Sequence, residues 1–109
     1  MPTAYKVLGQ QNPAATTMTA LYTVPAANST VVSTLNVCNL ATSAATFRIA
    51  VRPAGATLAN THYLAYDTPI AASDSIALTL GITLAATDVL AVYSSTASMN
   101  FTAFGSEIY

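Results

Sequence analysis

The chain has 109 residues, of which 53% are hydrophobic and only 6% are charged, with a net charge of −1. Typical domains carry about 25% charged residues. The length predicts one domain over 1–109, the absence of a basic stripe argues against nucleic-acid binding, and the apolar runs are too often interrupted to predict a membrane span. Because low net charge promotes association, we expect a protein that works in contact with other protein.

Apolar and polar residues alternate with a period of two through most of the chain, and helical spacing is almost absent. In chain order, the predicted strands cover about 4–10, 17–24, 30–40, 46–53, 62–68, 74–82, 88–93 and 98–105. Turns rich in Pro, Ala, Ser and Asn separate them. Eight short strands at this spacing predict an all-β fold, a single antiparallel β-sandwich of the jelly-roll type.

The same alternation predicts which side chains face the core. On the strand 46–53, Arg48 and Arg52 point away from the core, with Ala50 between them. The residues predicted to point inward are Phe47, Ile49, Val51, Ile76, Leu78, Leu80, Ile82, Leu84, Met99, Phe101 and Ala103.

The N-terminal segment 1–15 has two interpretations. It contains the only lysine, Lys6, beside Tyr5, and it includes two prolines. It is either an arm that adds a strand to a neighbouring sheet edge or the first strand of the sandwich. The segment lacks a basic region followed by an apolar run, so no signal peptide is predicted.

No catalytic or metal-binding pattern is found. His62 and Asp67 could join a serine in a hydrolase triad, but there is no G-x-S-x-G motif. The single Cys38 excludes an intrachain disulfide, and in "LNVCNL" it has no nearby cation to lower its pKa, so it is predicted to be buried and inert. One His, one Cys and dispersed carboxylates do not predict a zinc or calcium site. We therefore expect no enzymatic activity, no cofactor and no metal.

Asp74 and Asp88 each precede an apolar run, "SIALTL" and "VLAVY". A carboxylate at the start of a strand commonly accepts hydrogen bonds from local backbone N–H groups. We predict this turn role for both residues.

The candidate interface residues are few. Arg48 and Arg52 share one strand face, which is either solvated or pairs with carboxylates of a neighbouring subunit. Tyr63 and Tyr66 are predicted to lie on opposite faces of a strand that begins at His62, so that at least one of them points outward. The full set of interface candidates is Tyr5, Lys6, Arg48, Arg52, Tyr63 and Tyr66.

Four stretches together resemble small virion proteins of tailed bacteriophages. They are "YKVLGQ" (5–10), "LYTVPAANSTVVSTLNVCN" (21–39), "ATFRIAVRPAGA" (45–56) and "ITLAATDVLAVYSSTASMNFTAFGSEI" (82–108). The resemblance covers nearly the whole chain and includes no catalytic signature. It implies a β-sandwich component of the virion, made in the cytoplasm of the host bacterium.

The resemblance implies two places in the particle. One is the capsid exterior, where such a protein would be an oligomeric decoration or cement protein, a homotrimer bound to the major capsid protein. The other is the tail, neck or baseplate, where it would be an accessory or adaptor module. A third hypothesis is a sandwich that binds host glycans, in which Tyr63 or Tyr66 would supply the aromatic platform.

Overall fold

The computed structural model describes residues 2–79 and 81–109, and within these ranges the backbone forms nine strands. Two short 3-10 segments, Pro53–Gly55 and Asn60–His62, lie between the fourth and fifth strands. The strands are β1 (Thr3–Gln11), β2 (Thr19–Thr23), β3 (Ser29–Asn39), β4 (Ala45–Arg52), β5 (Tyr63–Ile70), β6 (Ser75–Leu78), β7 (Ile82–Leu84), β8 (Val89–Ser94) and β9 (Met99–Ile108).

The strands form two antiparallel sheets that pack face to face. Sheet A has the order β1-β9-β3-β6, with β7 also paired to β3, and sheet B has the order β2-β8-β4-β5. The chain changes sheet at every connection except β4 to β5 and β6 to β7. When β6 and β7 are counted as one interrupted strand, this is the eight-stranded order of a jelly roll. The sequence-based prediction of an antiparallel β-sandwich is confirmed.

The predicted strand 74–82 is wrong as a single element. β6 ends at Leu78 and β7 starts at Ile82, and both pair with β3. Gly81 between them has a φ of 63°, a left-handed conformation that an extended strand does not contain. The predicted core position Leu80 lies outside the described residues.

The core fills the space between the inner faces of the two sheets. Phe47 of sheet B meets Phe101 of sheet A edge-on, with ring centroids 6.3 Å apart, a favourable geometry for aromatic pairs. The predicted inward side chains of β4 and β9 are confirmed, with Val51 only half-buried. The fully buried large side chains include Leu35, Phe47, Ile49, Ile70, Leu90, Met99 and Phe101.

The N-terminal segment forms an edge strand of sheet A. Thr3–Gln11 pairs with β9 along its length, with a bulge between Val7 and Gly9. The segment therefore has the position of the first strand of the sandwich. The edge of β1 that faces away from β9 pairs with none of the described strands. The hypothesis that this segment contacts a neighbouring subunit stays a prediction.

Candidate interaction surfaces

Arg48 is held by partners in its own chain. Its Nε and one terminal nitrogen donate to the two carboxylate oxygens of Asp67, at 2.7 and 3.3 Å. The guanidinium carbon also lies 4.1 Å from the ring centroid of Tyr66 and 4.2 Å from that of Tyr93, within the range of a cation–π contact. The hydrogen bond that Arg48 donates to Asp67 raises the pKa of the guanidinium above its ordinary value. The structure thus gives this arginine an intrachain carboxylate partner.

Two irregularities in β5 bring Tyr63 and Tyr66 together. Ile49 pairs with Ala65 while Ala50 pairs with Tyr63, so Leu64 is an extra residue on β5. An extra residue reverses the alternation of side chains that follow it. The two rings contact each other edge-on, with centroids 4.9 Å apart. The prediction that they lie on opposite faces is therefore wrong.

A shallow depression opens beside this tyrosine pair. It has a volume of about 310 Å³ and is lined by Asn60, Tyr63 and Tyr66. Tyr66 is 57% exposed, and Asn60 is also exposed. The site therefore offers an accessible aromatic surface and an amide, next to an arginine whose charge is already balanced by Asp67.

Arg52 and His62 lie at the two ends of the 53–62 connection. Arg52 is half-buried, and its Nε has no hydrogen-bond partner among the described residues. His62 belongs to the second 3-10 segment, and β5 begins one residue later than predicted. The backbone N–H of Ala59 donates to Nδ1 of His62 at 3.1 Å, which explains why this residue ends the turn instead of starting the strand.

The turn roles predicted for Asp74 and Asp88 are confirmed. Asp74 accepts a hydrogen bond from the N–H of Ser75 at 2.8 Å. Asp88 accepts from the N–H groups of Ala54 and Ala85, at 2.8 and 2.9 Å. Asp88 thereby ties the 53–55 segment to the turn that precedes β8.

The sequence did not predict a buried polar network that lies at one end of the sandwich. Glu107 is buried, and its carboxylate binds Lys6 Nζ at 2.7 Å and accepts a hydrogen bond from the Tyr22 hydroxyl. The Tyr22 hydroxyl also meets the Thr30 hydroxyl at 2.8 Å. Opposite charges near the two ends of the chain were visible in the sequence, but only the pairing of β1 with β9 brings them together.

The network shifts the titration of its members. The hydrogen bonds from Lys6 and then Tyr22 hold the pKa of Glu107 below its ordinary value, although burial opposes this. Burial and the hydrogen bond to Glu107 raise the pKa of Tyr22 to about 12. The ionised carboxylate and the neutral phenol are thus the forms that the fold favours.

The outer face of sheet A has a different character. Among the described residues, no charged side chain occupies an outward strand position on this face, and Lys6 at its margin is turned to Glu107.

The two ends of this face differ. One end is apolar, with Tyr5, Val7 and Phe104 exposed around a depression of about 520 Å³. The other end carries a cross-strand row formed by Gln10 of β1, Thr102 of β9 and Asn36 of β3.

Cys38 also lies on the outer face of sheet A. It pairs with Asn100, whose neighbours Met99 and Phe101 point inward, so its own side chain points outward. It is half-exposed and free. The prediction of a buried cysteine is wrong, because the apolar flanking residues Val37 and Leu35 occupy the alternate, inward positions.

No protein-family model matches the chain, and no curated protein matches it. Within residues 2–79 and 81–109, no helix is long and apolar enough to cross a membrane, and no three His, Cys, Asp or Glu side chains are grouped so that they could hold a metal ion.

Proposed function

We propose that the protein is a non-enzymatic structural protein of a bacteriophage virion, an oligomeric decoration or cement protein that stabilises the assembled head. The resemblance to phage virion proteins supports the class. The observation that carries the proposal is the outer face of sheet A, which exposes Tyr5, Val7 and Phe104 and has no charged side chain among its described strand positions. Exposed apolar surface of this kind is typical of protein–protein contact sites.

The use of the carboxylates supports a structural role. Glu107 and Asp67 are occupied by ion pairs, and Asp74 and Asp88 accept backbone hydrogen bonds in turns. A general acid or base must be placed where it can reach a substrate proton. These four residues instead hold strands and turns in position.

A cement protein acts by binding the assembled shell in preference to its separated subunits. This preference adds free energy to the assembled state by mass action. When several copies are linked to one another, weak contacts with the shell also combine through effective concentration. An uncharged face suits contact between such copies, because its binding changes little with ionic strength.

The test is the number of copies in purified particles of a phage that encodes the protein, measured by quantitative mass spectrometry against the major capsid protein. Hundreds of copies are expected, together with earlier release of the genome on heating when the gene is deleted. A small copy number matching the tail axis would instead assign it to the tail, neck or baseplate. Absence from purified particles would overturn the virion proposal altogether.

One observation favours a second function, binding of a neutral host glycan. Tyr63 and Tyr66 lie side by side next to Asn60 in an open depression, so an aromatic surface and an amide face the same volume. Such sites commonly combine apolar surface with a few polar groups that fix orientation. Because Asp67 neutralises Arg48, the depression suits an uncharged ligand.

The glycan proposal is tested with an array of bacterial surface glycans and with Tyr66→Ala. Tyr5→Ala is the matched control, since Tyr5 is an exposed tyrosine on the other sheet. Binding that Tyr66→Ala abolishes and Tyr5→Ala preserves is the expected result. Failure of the wild-type protein to bind any glycan, or equal loss in both variants, rejects this function.

A further inference from the structure

We infer that the outer face of sheet A is a self-association surface, on which a second copy of this chain packs face to face across a two-fold axis. This contact involves the chain alone, so it does not depend on where the protein lies in a particle. A face-to-face contact closes with two copies, so the unit it predicts is a dimer, in contrast to the trimer that the resemblance implies.

The charge distribution supports a contact between identical faces. In a two-fold contact the same patch is used by both subunits, so a charge close to the axis meets its own copy and is repelled. The described outward strand positions of sheet A carry no charge. The outer face of sheet B, in contrast, carries Arg48, Arg52 and Asp67, and is less suited to meeting itself.

The polar side chains of the face can hydrogen-bond to identical side chains on a second copy. Gln10, Thr102 and Asn36 form one row across β1, β9 and β3. Amides and hydroxyls each contain both a donor and an acceptor, so two identical rows can hydrogen-bond to each other. Carboxylates or ammonium groups at these positions could not do so.

The apolar end of the face has complementary shape. Tyr5 is 86% exposed, an unusual value for an aromatic residue in the middle of a strand. It lines the depression of about 520 Å³ together with Lys6, Val31, Ser33 and Phe104. The charge of Lys6 at this point is paired with Glu107. Across a two-fold axis, each Tyr5 ring can enter the depression of the other copy, so that the same contact forms twice.

The area of the face is sufficient for a weak dimer. Four strand widths of about 4.8 Å and a strand length of roughly 30 Å give a planar area of about 600 Å². Two such faces bury about 1,200 Å², the lower limit of specific interfaces. We therefore expect dissociation in the micromolar range, since interfaces of this size do not by area alone give tight binding.

The decisive experiment is sedimentation equilibrium of the full chain from about 1 to 500 μM, for the wild type, Phe104→Asp and Leu64→Asp. Phe104 and Leu64 are both exposed, at 39% and 50%, but Leu64 lies on the edge strand of sheet B. The wild type and Leu64→Asp should dimerise, and Phe104→Asp should raise the dissociation constant at least about tenfold, since it places two carboxylates in the contact. Circular dichroism verifies that each variant is folded.

Cys38 provides an independent reporter that requires no destabilising substitution. Because it lies on the same face, its rate of modification by a thiol reagent should fall as wild-type protein is concentrated and should stay constant in Phe104→Asp. A wild type that remains monomeric overturns the inference. So does an oligomer, including a trimer, that Phe104→Asp leaves intact, or one in which Cys38 reacts at an unchanged rate.

Discussion

Glu107 connects the first and last strands through its side chain. Burial of a carboxylate is unfavourable unless it is paired and hydrogen-bonded, and Lys6 and Tyr22 supply these partners. Lys6 remains 48% exposed at its side chain, so only one member of the ion pair is removed from water. This arrangement keeps the desolvation cost below that of a fully buried pair.

Replacing Glu107 with Gln should change how stability depends on pH. Because the folded-state pKa of Glu107 is lowered, its contribution is present above the ordinary value of 4.5 and is lost as the pH falls through the folded-state pKa. Glu107→Gln should therefore lower the free energy of unfolding by about 1 kcal/mol at neutral pH. On acidification, the variant should lose less stability than the wild type does. Urea unfolding followed by circular dichroism at several pH values measures both effects.

Asp74→Asn is the control for this prediction, since Asp74 is an exposed turn residue. It should retain the wild-type difference between neutral and acidic pH. If Glu107→Gln showed the same acid dependence as the wild type, the proposed role of the network in acid stability would be wrong.

Replacing Tyr22 with Phe tests the other half of the network. The change removes one hydroxyl and leaves the Thr30 hydroxyl, on a buried residue, without its partner. Unmet hydrogen-bonding groups of this kind cost about 1–3 kcal/mol. The wild type should also lose stability as the pH rises from 10 through the raised pKa of Tyr22, about 12, and Tyr22→Phe should lack that component.

Chemical denaturation of Tyr22→Phe beside Tyr109→Phe measures this cost, because Tyr109 is half-exposed. The Tyr109 variant should differ from the wild type by no more than about 0.5 kcal/mol. Equal effects in the two variants would show that the Tyr22 hydroxyl contributes nothing specific.

For single residues, the sequence predicted contacts with sequence neighbours and did not predict contacts between residues far apart in the chain. Asp74 and Asp88 bond to groups that their own sequence neighbourhood places nearby, at least in part, so turn chemistry identified them. Glu107 and Lys6 are far apart in the chain and meet only through the pairing of β1 with β9. No local pattern encodes that pairing.

At the scale of elements, β9 is the strand on which sheet A depends most. It lies between β1 and β3 and pairs with both along nearly its whole length. At Gly105 the backbone of β3 approaches so closely that an added Cβ would overlap the carbonyl oxygen of Val31. Glycine is therefore required there by space, in the centre of a sheet where it otherwise weakens a strand.

Gly105→Ala should accordingly destabilise the protein by about 3 kcal/mol or more, because the β3–β9 ladder must shift to admit the methyl group. Gly81→Ala is the comparison. A Cβ there would meet none of the described atoms within 4 Å, and the positive φ alone costs about 1 kcal/mol. Thermal unfolding and the soluble yield compare the stabilities of the two variants. If Gly81→Ala were destabilised more than Gly105→Ala, the steric explanation would be wrong.

The strands themselves were largely predictable, because a period of two is a direct signature of a half-buried strand. The irregularities were not. The extra residue Leu64 reverses the alternation in β5 and moves Tyr63 to the side of Tyr66. A bulge depends on the register with the neighbouring strand, which the sequence of β5 alone does not specify.

At the scale of the molecule, the few charges are confined to particular places. Two ion pairs and two turn carboxylates account for six of the seven charged residues, leaving Arg52 half-buried. Composition predicted a poorly charged surface. It could not predict that one entire sheet face would be without charge, since that depends on which strands share a sheet.

This distribution predicts how self-association responds to salt. An uncharged interface gains nothing from Coulombic attraction and loses nothing to screening, while sulfate strengthens apolar burial. The dimer dissociation constant should change less than about threefold between 0.05 and 1 M NaCl and should fall in ammonium sulfate. Sedimentation in both salt series measures this, and a steep weakening in NaCl would show that charged residues form the contact.

The pairing of β1 with β9 also determines how the molecule resists force. Thr3 lies opposite Ile108, and the N–H of Tyr109 donates to the carbonyl of Pro2 at 3.0 Å. A pull between these two positions acts at one end of an antiparallel ladder and opens its hydrogen bonds one pair after another. Strain distributed over a sheet face loads many contacts at the same time. A molecule held through its broad face would therefore resist a pulling force far better than one tethered by its two ends.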